Sequence, residues 1–170
     1  MVVLIAGCSH TGKTLLAQKL LQQYHMPYLS IDHLKMGLIR SGQTSLTPED
    51  DDALTAYLWP IVREMVKTAV ENRQNLIVEG CYIPFDWAHD FPEPYLADIR
   101  YCCLIMSEAY IDAHYADIKA YSCAIEQRAP GGTPDKAALI AENRHNLALC
   151  KRYGCDYILI DSVYDVTLTL

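Results

Sequence analysis

The 170-residue chain is predicted to form a three-layer α/β protein, in which a parallel sheet is covered by helices on both faces. Two observations predict this class. Short apolar segments typical of buried strands alternate with segments whose apolar residues recur at helical spacing. Between the first strand and the first helix, residues 7–14 read Gly-Cys-Ser-His-Thr-Gly-Lys-Thr and match the pattern G-x-x-x-x-G-K-[ST]. Parallel strands need crossover connections, which place helices on both faces of a sheet.

Residues 7–14 are predicted to bind the phosphates of a nucleotide. Gly7 and Gly12 allow backbone N–H groups to approach phosphate oxygens, and the helix that follows adds a favourable dipole. Lys13 is expected to bridge the β- and γ-phosphates, and the Thr14 hydroxyl to ligate Mg²⁺. The loop is completed by Cys8, Ser9, His10 and Thr11. A chance glycine turn is the alternative, which the flanking strand and helix disfavour.

In the first half of the chain, the spacing of apolar residues and the residues that end helices or strands predict the secondary structure. Met1–Ala6 is a short apolar run, predicted to be a strand, and the helix after the loop should end near residues 24–25. A second strand over Met26–Ile31 delivers Asp32 to its carboxyl end. This position is notable because the ligand crevice of an open α/β sheet lies at the carboxyl ends of its strands. A short helix over His33–Arg40 follows.

The middle of the chain is predicted to hold a long helix and a third strand. Thr47 and Pro48 are typical of a helix start, and the apolar stripe continues to about Arg73 with a kink expected at Pro60. Residues 75–78 form the third strand, which ends at Glu79. The aromatic stretch 81–98 is predicted to be a loop that could include a turn of helix.

The last part of the chain is predicted to hold two more strands and two more helices. Their predicted positions are a strand at Ile99–Met106, a helix from Ser107 to about Arg128, a helix from Thr133 to Lys151-Arg152 with Gly154 just beyond, and a strand at Asp156–Ile160. A terminal helix is expected to begin within 161–170. We expect one domain over residues 1–170.

Composition excludes several classes of function. The net charge of −7 and the pI near 5.2 argue against a nucleic-acid or anionic-membrane surface, since both need a basic face. Seven cysteines occur without a C-x-x-C pair, and no segment approaches 18 apolar residues. We therefore expect a reduced, cytoplasmic protein that binds neither nucleic acid nor membrane. The oligomeric state is left open.

The order of elements, with the motif at residues 7–14, resembles the P-loop small-molecule kinases, a grouping that includes adenylate, shikimate and gluconate kinases, chloramphenicol phosphotransferase and zeta-toxin-like kinases. The resemblance implies a P-loop NTPase fold with strand order 2-3-1-4-5, a lid at about 120–135 and substrate-side segments at about 33–47 and 81–98. It also implies ATP- and Mg²⁺-dependent transfer of the γ-phosphoryl group to a hydroxyl of a small molecule.

The resemblance also assigns roles to acidic residues and arginines outside the loop. Asp32 is expected to be the base that accepts the hydroxyl proton, with an N-cap of the next helix as the alternative. Glu79 would hold a water on Mg²⁺ or bind a substrate hydroxyl, unless it is a surface acid. Arg128 would be a lid arginine and Arg144 a second arginine that stabilises the transferred charge. A solvated arginine is the alternative for each.

Lys35, Arg40 and Tyr82 are candidates for the acceptor side of the site. Adenylate-kinase-like enzymes carry an arginine after the third strand, which this chain lacks at Glu79-Gly80-Cys81-Tyr82-Ile83-Pro84, and another where this chain has Lys35. Both departures favour a hydroxylated, less anionic acceptor. Two other functions stay open: a nucleotide-dependent switch or ATPase acting on a protein partner, and a catalytically idle nucleotide-binding module.

Overall fold

A computed structural model describes residues 1–121 and 135–170 and shows a five-stranded, all-parallel sheet. The strands are β1 (Val2–Gly7), β2 (Tyr28–Ser30), β3 (Leu76–Glu79), β4 (Ile99–Met106) and β5 (Tyr157–Ile160). Their spatial order is β2-β3-β1-β4-β5, which confirms the predicted order 2-3-1-4-5. The first strand therefore lies at the centre, where Val2 pairs with Leu76 of β3 and with Ile99 of β4.

Helices cover both faces of the sheet, as predicted. They are α1 (Lys13–Tyr24), α2 (Ile31–Arg40), α3 (Asp51–Glu71), α4 (Glu93–Leu96), α5 (Glu108–Ala120) and α6 (Lys136–Tyr153). A 3₁₀ helix at Trp87–Asp90 precedes α4. Within residues 1–121 and 135–170, none of the helices combines the length and the hydropathy needed to span a lipid bilayer.

The core consists of two apolar layers, one on each face of the sheet. Alternate residues of β1 enter opposite layers: Val2 and Leu4 pack with α3, and Val3 and Ile5 pack with α1. Every residue of β1 is buried. This explains why the strand is continuously apolar, since a central parallel strand has no solvent-facing side.

Two helix starts differ from the prediction. The helix expected to begin at Thr47 begins at Asp51 instead, with Asp50 at the N-cap position. The backbone N–H and the hydroxyl of Thr47 both donate to the Asp50 carboxylate, at 2.7 and 2.9 Å. Thr47 and Asp50 thus form a turn that precedes the helix. The helix expected from Thr133 begins at Lys136 and is capped by Asp135, whose Oδ1 accepts from the Ala138 N–H at 2.9 Å.

The predicted terminal helix is also wrong, because residues 161–170 contain no helix. This tail is held by contacts with the first half of the chain. Lys19 Nζ donates to the Val166 carbonyl at 3.3 Å, and the Leu170 N–H donates to the Tyr24 hydroxyl at 3.3 Å. Hydrogen bonds with side chains of α1 therefore help to hold the tail in a non-helical conformation.

The aromatic segment 81–98 is pinned to the core. The Trp87 ring stacks on Tyr101 of β4 at a centroid distance of 5.5 Å and meets Phe91 edge-on at 6.0 Å. Trp59 of α3 donates its indole N–H to Asp90 at 2.6 Å. These contacts hold the segment that follows β3 in place against the core.

Candidate active site

The phosphate loop runs from Gly7 at the end of β1 to Thr14 in the first turn of α1. Gly7 and Gly12 have φ of 138° and 87°, which side-chain-bearing residues rarely adopt. A Cβ at Gly7 would lie 2.5 Å from the Leu104 carbonyl oxygen of β4. The hydroxyl of the fully buried Thr11 donates to the Cys8 carbonyl at 2.8 Å. The loop is therefore held in shape by its own side chains and by the neighbouring strand.

Lys13 is buried and its ammonium stays inside the loop. Nζ donates to the Cys8 carbonyl at 2.8 Å and to Cys81 Sγ at 3.3 Å. Burial lowers the pKa of Lys13, but Cys81 and the carboxylates of Glu79 and Asp32 outweigh it and hold the pKa above its usual value. Lys13 therefore remains a cation at neutral pH, with Asp32 and Glu79 near enough for their charges to act on it.

Thr14 and Glu79 offer oxygen ligands of the kind that Mg²⁺ prefers. The Thr14 hydroxyl donates to Glu79 Oε1 at 3.2 Å, and Glu79 is 1% exposed, so it is not the surface acid considered as the alternative. Ser30 pairs with Glu79 in the sheet, is 1% exposed, and its Oγ has no hydrogen-bond partner among the described residues. The half-buried Thr14 hydroxyl, the buried Glu79 carboxylate and the orphaned Ser30 hydroxyl supply oxygens that fit a hydrated Mg²⁺.

The described residues contain no group of three or more His, Cys, Asp or Glu side chains that could hold a metal by themselves. A Mg²⁺ at Thr14 and Glu79 would complete its octahedral shell with phosphate oxygens and water, as this ion does in many phosphate-transferring proteins. The site thus fits a metal that arrives with a nucleotide.

Asp32 lies in the first turn of α2, close to the end of β2. The helix begins at Ile31 with Ser30 at the N-cap position, so Asp32 is not the N-cap. Its carboxylate pairs with Lys35 at 2.7 Å. Lys35 Nζ also donates to the Tyr82 hydroxyl at 2.9 Å, and that hydroxyl donates to Asp51 at 3.0 Å. Three predicted residues, Asp32, Lys35 and Tyr82, thus meet in one polar network together with Asp51.

The protonation states in this network are well defined. Burial lowers the pKa of Lys35, but hydrogen bonds with Asp32 and Tyr82 and the charge of Asp32 raise it above its usual value overall. Burial raises the pKa of Tyr82 to about 12, against the lowering effect of Lys35 and with help from Asp51 and Asp32. At neutral pH the network therefore holds an ammonium and a neutral phenol, and the phenol is a hydrogen-bond donor.

Two of the predicted arginines, Arg40 and Arg144, form no hydrogen bond or ion pair with this network within the described part of the chain. Arg40 is exposed in the last turn of α2. Arg144 of α6 is 70% exposed and pairs with Glu108 of α5. Arg128 and most of the predicted lid, about 120–135, fall outside the described residues. In the loop itself, Ser9 and His10 are half-buried, and His10 has a φ of 67°.

Sequence reasoning missed four residues at the site. Asp51 accepts the hydrogen bond from Tyr82, and Cys81 accepts one from Lys13. Glu142 of α6 is exposed, yet its pKa is raised by loss of hydration and by the charge of Asp51, and lowered by Lys13. Tyr164 of the tail donates to the Thr11 carbonyl at 3.2 Å. Of these four residues, only Cys81 lies near a sequence signal, because it comes two residues after Glu79 at the end of the third predicted strand.

Comparisons with known proteins agree with the geometry. No protein-family model matches the sequence, and no curated protein matches it. The solved structures that share the fold include two kinases. One is a provisionally assigned kinase from Chloroflexus aurantiacus J-10-fl, with a TM-score of 0.56 and 18% identity over 96% of this chain and 88% of the other. The second is shikimate kinase from Bacteroides thetaiotaomicron, with a TM-score of 0.52 and 15% identity over 97% and 89% of the two chains. The chain has the fold of P-loop small-molecule kinases.

Proposed function

We propose that the protein is an ATP- and Mg²⁺-dependent kinase that transfers the γ-phosphoryl group to a hydroxyl of a small molecule. The observation that best supports this proposal is that the phosphate loop and the polar network around Asp32 lie side by side. Lys13 contacts Cys81 at 3.3 Å, and the next residue, Tyr82, accepts a hydrogen bond at 2.9 Å from Lys35, which in turn pairs with the Asp32 carboxylate at 2.7 Å. A base held beside a phosphate site suits phosphoryl transfer to an alcohol.

The chemistry would follow from these positions. The acceptor hydroxyl oxygen attacks the γ-phosphorus in line, the bond from that phosphorus to the β–γ bridging oxygen breaks, ADP leaves, and the hydroxyl proton passes to Asp32. Lys13 would exchange its bonds to Cys8 and Cys81 for phosphate oxygens. Its positive charge then stabilises the charge that develops on the leaving group.

Lys35 is proposed as a positioning residue. It contacts Asp32 and Tyr82 at once, which would restrict the rotamers of Asp32 and leave its second carboxylate oxygen for the acceptor hydroxyl. Thr14 and Glu79 would hold the metal, and Mg²⁺ when bound supplies charge neutralisation at the β- and γ-phosphates. Arg128 and Arg144 remain candidates for additional positive charge. Arg144 would have to leave Glu108 to reach the phosphates.

The test uses Asp32→Asn and Lys13→Ala with MgATP and a panel of hydroxylated compounds, followed by ³¹P NMR. Asp32→Asn should keep its ATP affinity and lose acceptor phosphorylation by about a hundredfold to ten-thousandfold, the range typical of a general base. Lys13→Ala should lose both. If the wild type binds ATP, phosphorylates no compound, and hydrolyses ATP only when a protein partner is added, the switch function is correct and the kinase proposal fails.

A further inference from the structure

The C-terminal tail touches the phosphate loop at Tyr164. The Tyr164 hydroxyl donates to the Thr11 carbonyl at 3.2 Å, and a Cβ on Gly12 would overlap that same hydroxyl. The phenol is therefore in direct contact with two successive residues of the loop. The loop is thus restrained by a side chain that lies outside its own motif, near the opposite end of the chain.

The tail around Tyr164 is itself held against α1. Val166 is 1% exposed, and its carbonyl accepts from Lys19 Nζ at 3.3 Å. Farther along, the Leu170 N–H donates to the Tyr24 hydroxyl at 3.3 Å. These anchors lie on the helix that the phosphate loop begins, so the tail and the loop share one support. The half-buried phenol of Tyr164 is thereby kept in position beside the loop.

The protonation state of Tyr164 makes it a hydrogen-bond donor. Burial and the charge of Tyr110 raise the pKa of Tyr164 to about 12, against the lowering effect of Lys13. The phenol is therefore protonated at neutral pH. Because a carbonyl oxygen can only accept, the proton in the bond between Tyr164 and Thr11 belongs to the phenol.

The bond to the Thr11 carbonyl fixes the direction of the Gly12 N–H. The peptide bond between these two residues is trans, so its C=O and N–H point in opposite directions. With the carbonyl bonded to Tyr164, the Gly12 N–H points away from the tail. Within the described part of the chain, this N–H has no hydrogen-bond acceptor. Left-handed φ values of 67° at His10 and 87° at Gly12 suit a loop whose N–H groups form an anion-binding concavity.

We propose that Tyr164 is a positioning residue for phosphate binding, which holds the peptide between Thr11 and Gly12 so that the Gly12 N–H donates to a phosphate oxygen of the bound nucleotide. A carbonyl that accepts a hydrogen bond also polarises its peptide group, which makes the N–H of that group a stronger donor. This inference rests on the nucleotide binding in the proposed function. It adds the tail to a site that the sequence motif alone does not complete.

The first arm of the test compares Tyr164→Phe with Tyr24→Phe as the matched control. Each change keeps the ring and removes one hydroxyl that links the tail to the first part of the chain, but only the Tyr164 hydroxyl reaches the loop. Calorimetric titrations use MgATP and magnesium tripolyphosphate, which has neither base nor ribose. Tyr164→Phe should raise Kd for both ligands by about threefold to tenfold. Tyr24→Phe should bind both as the wild type does.

The second arm observes the peptide group directly by NMR. The chain has eight glycines, so a spectrum of protein labelled with ¹⁵N-glycine is simple enough to assign. A hydrogen bond at a carbonyl deshields the amide nitrogen of the same peptide group. Without nucleotide, the Gly12 nitrogen resonance should therefore move upfield in Tyr164→Phe and stay in place in Tyr24→Phe. A role of Tyr164 in tail packing alone would leave this resonance unmoved.

The remaining outcomes reject the inference at two distinct levels. The positioning role fails if Tyr164→Phe binds both ligands as the wild type does, if it weakens MgATP but not tripolyphosphate, if Tyr24→Phe shows an equal loss, or if the Gly12 resonance does not move. Each of these results leaves the kinase function standing. If the wild type binds neither ligand, the nucleotide-dependent function is wrong, and this inference fails with it.

Discussion

At the scale of single residues, Gly12 is constrained twice. Its φ is 87°, and a Cβ at this position would overlap the Tyr164 hydroxyl, which donates to the Thr11 carbonyl. We expect Gly12→Ala to lower the free energy of unfolding by about 2–5 kcal/mol, the sum of left-handed backbone strain and overpacking. Urea denaturation measures the loss.

Gly42 provides the matched control for this prediction. Its φ is 73°, and a Cβ added there would meet no heavy atom within 4 Å, so Gly42→Ala should show the backbone strain alone, about 1–2 kcal/mol. In a Tyr164→Ala background, Gly12→Ala should cost about the same as Gly42→Ala. An unchanged cost in that background would mean that Tyr164 does not restrict the loop.

Tyr82 makes stability depend on alkaline pH. Its folded pKa of about 12 lies above the ordinary value near 10, so the native state holds the phenol proton that the unfolded state releases first. Stability is therefore full below about pH 10 and falls as the pH rises toward 12. The raised pKa of Lys35 acts in the same direction. Urea unfolding at pH 8 and pH 11 should show a smaller loss for Tyr82→Phe than for the wild type, and an equal loss would contradict the assignment.

At the scale of elements, the start of α6 depends on one side chain. Asp135 Oδ1 accepts from the Ala138 N–H at 2.9 Å, and we expect Asp135→Ala to destabilise the protein by about 0.5–2 kcal/mol, as lost N-caps generally do. Thermal or urea unfolding provides the measurement. Asp165→Ala, at an exposed tail residue, should change stability by less than about 0.5 kcal/mol. Equal effects of the two changes would show that the cap contributes nothing.

The elements also show which parts of the structure could be predicted from sequence. The strand, loop and helix around residues 7–14 follow from local spacing, and the observed β1 (Val2–Gly7) and α1 (Lys13–Tyr24) agree with it. The start of α3 could not be predicted in the same way. Thr47 is a good N-cap by type, but its N–H and hydroxyl are satisfied by Asp50, and a competing side chain of this kind leaves no periodic signal.

The candidate site was predictable only where its residues adjoin a motif or a strand end. Asp32 comes shortly after β2 and Glu79 is the last residue of β3, and the charges of both raise the pKa of Lys13. Asp51 and Tyr82 are 31 residues apart, and their hydrogen bond arises from the packing of α3 beside the segment after β3. Such contacts depend on how elements meet in space, and apolar periodicity within one element carries no information about them.

At the scale of the whole molecule, ligand binding should raise stability. If the loop binds MgATP, a concentration of 100 times Kd adds about 2.7 kcal/mol to the free energy of unfolding. For a chain of this size that corresponds to a Tm increase of roughly 5–11 °C. Differential scanning fluorimetry of the wild type should show the increase, and Lys13→Ala should show little of it. A full shift in the variant would mean that the nucleotide binds elsewhere.

The central position of β1 has a consequence for how the chain folds during synthesis. β1 is synthesised before both strands that pair with it, at Leu76 and Ile99, so its backbone hydrogen bonds are completed only after about one hundred more residues have been made. At translation rates of about 5–20 residues per second this interval is roughly 5–20 s. During that time Val-Val-Leu-Ile is an unpaired apolar segment, which exposes the nascent chain to aggregation at β1.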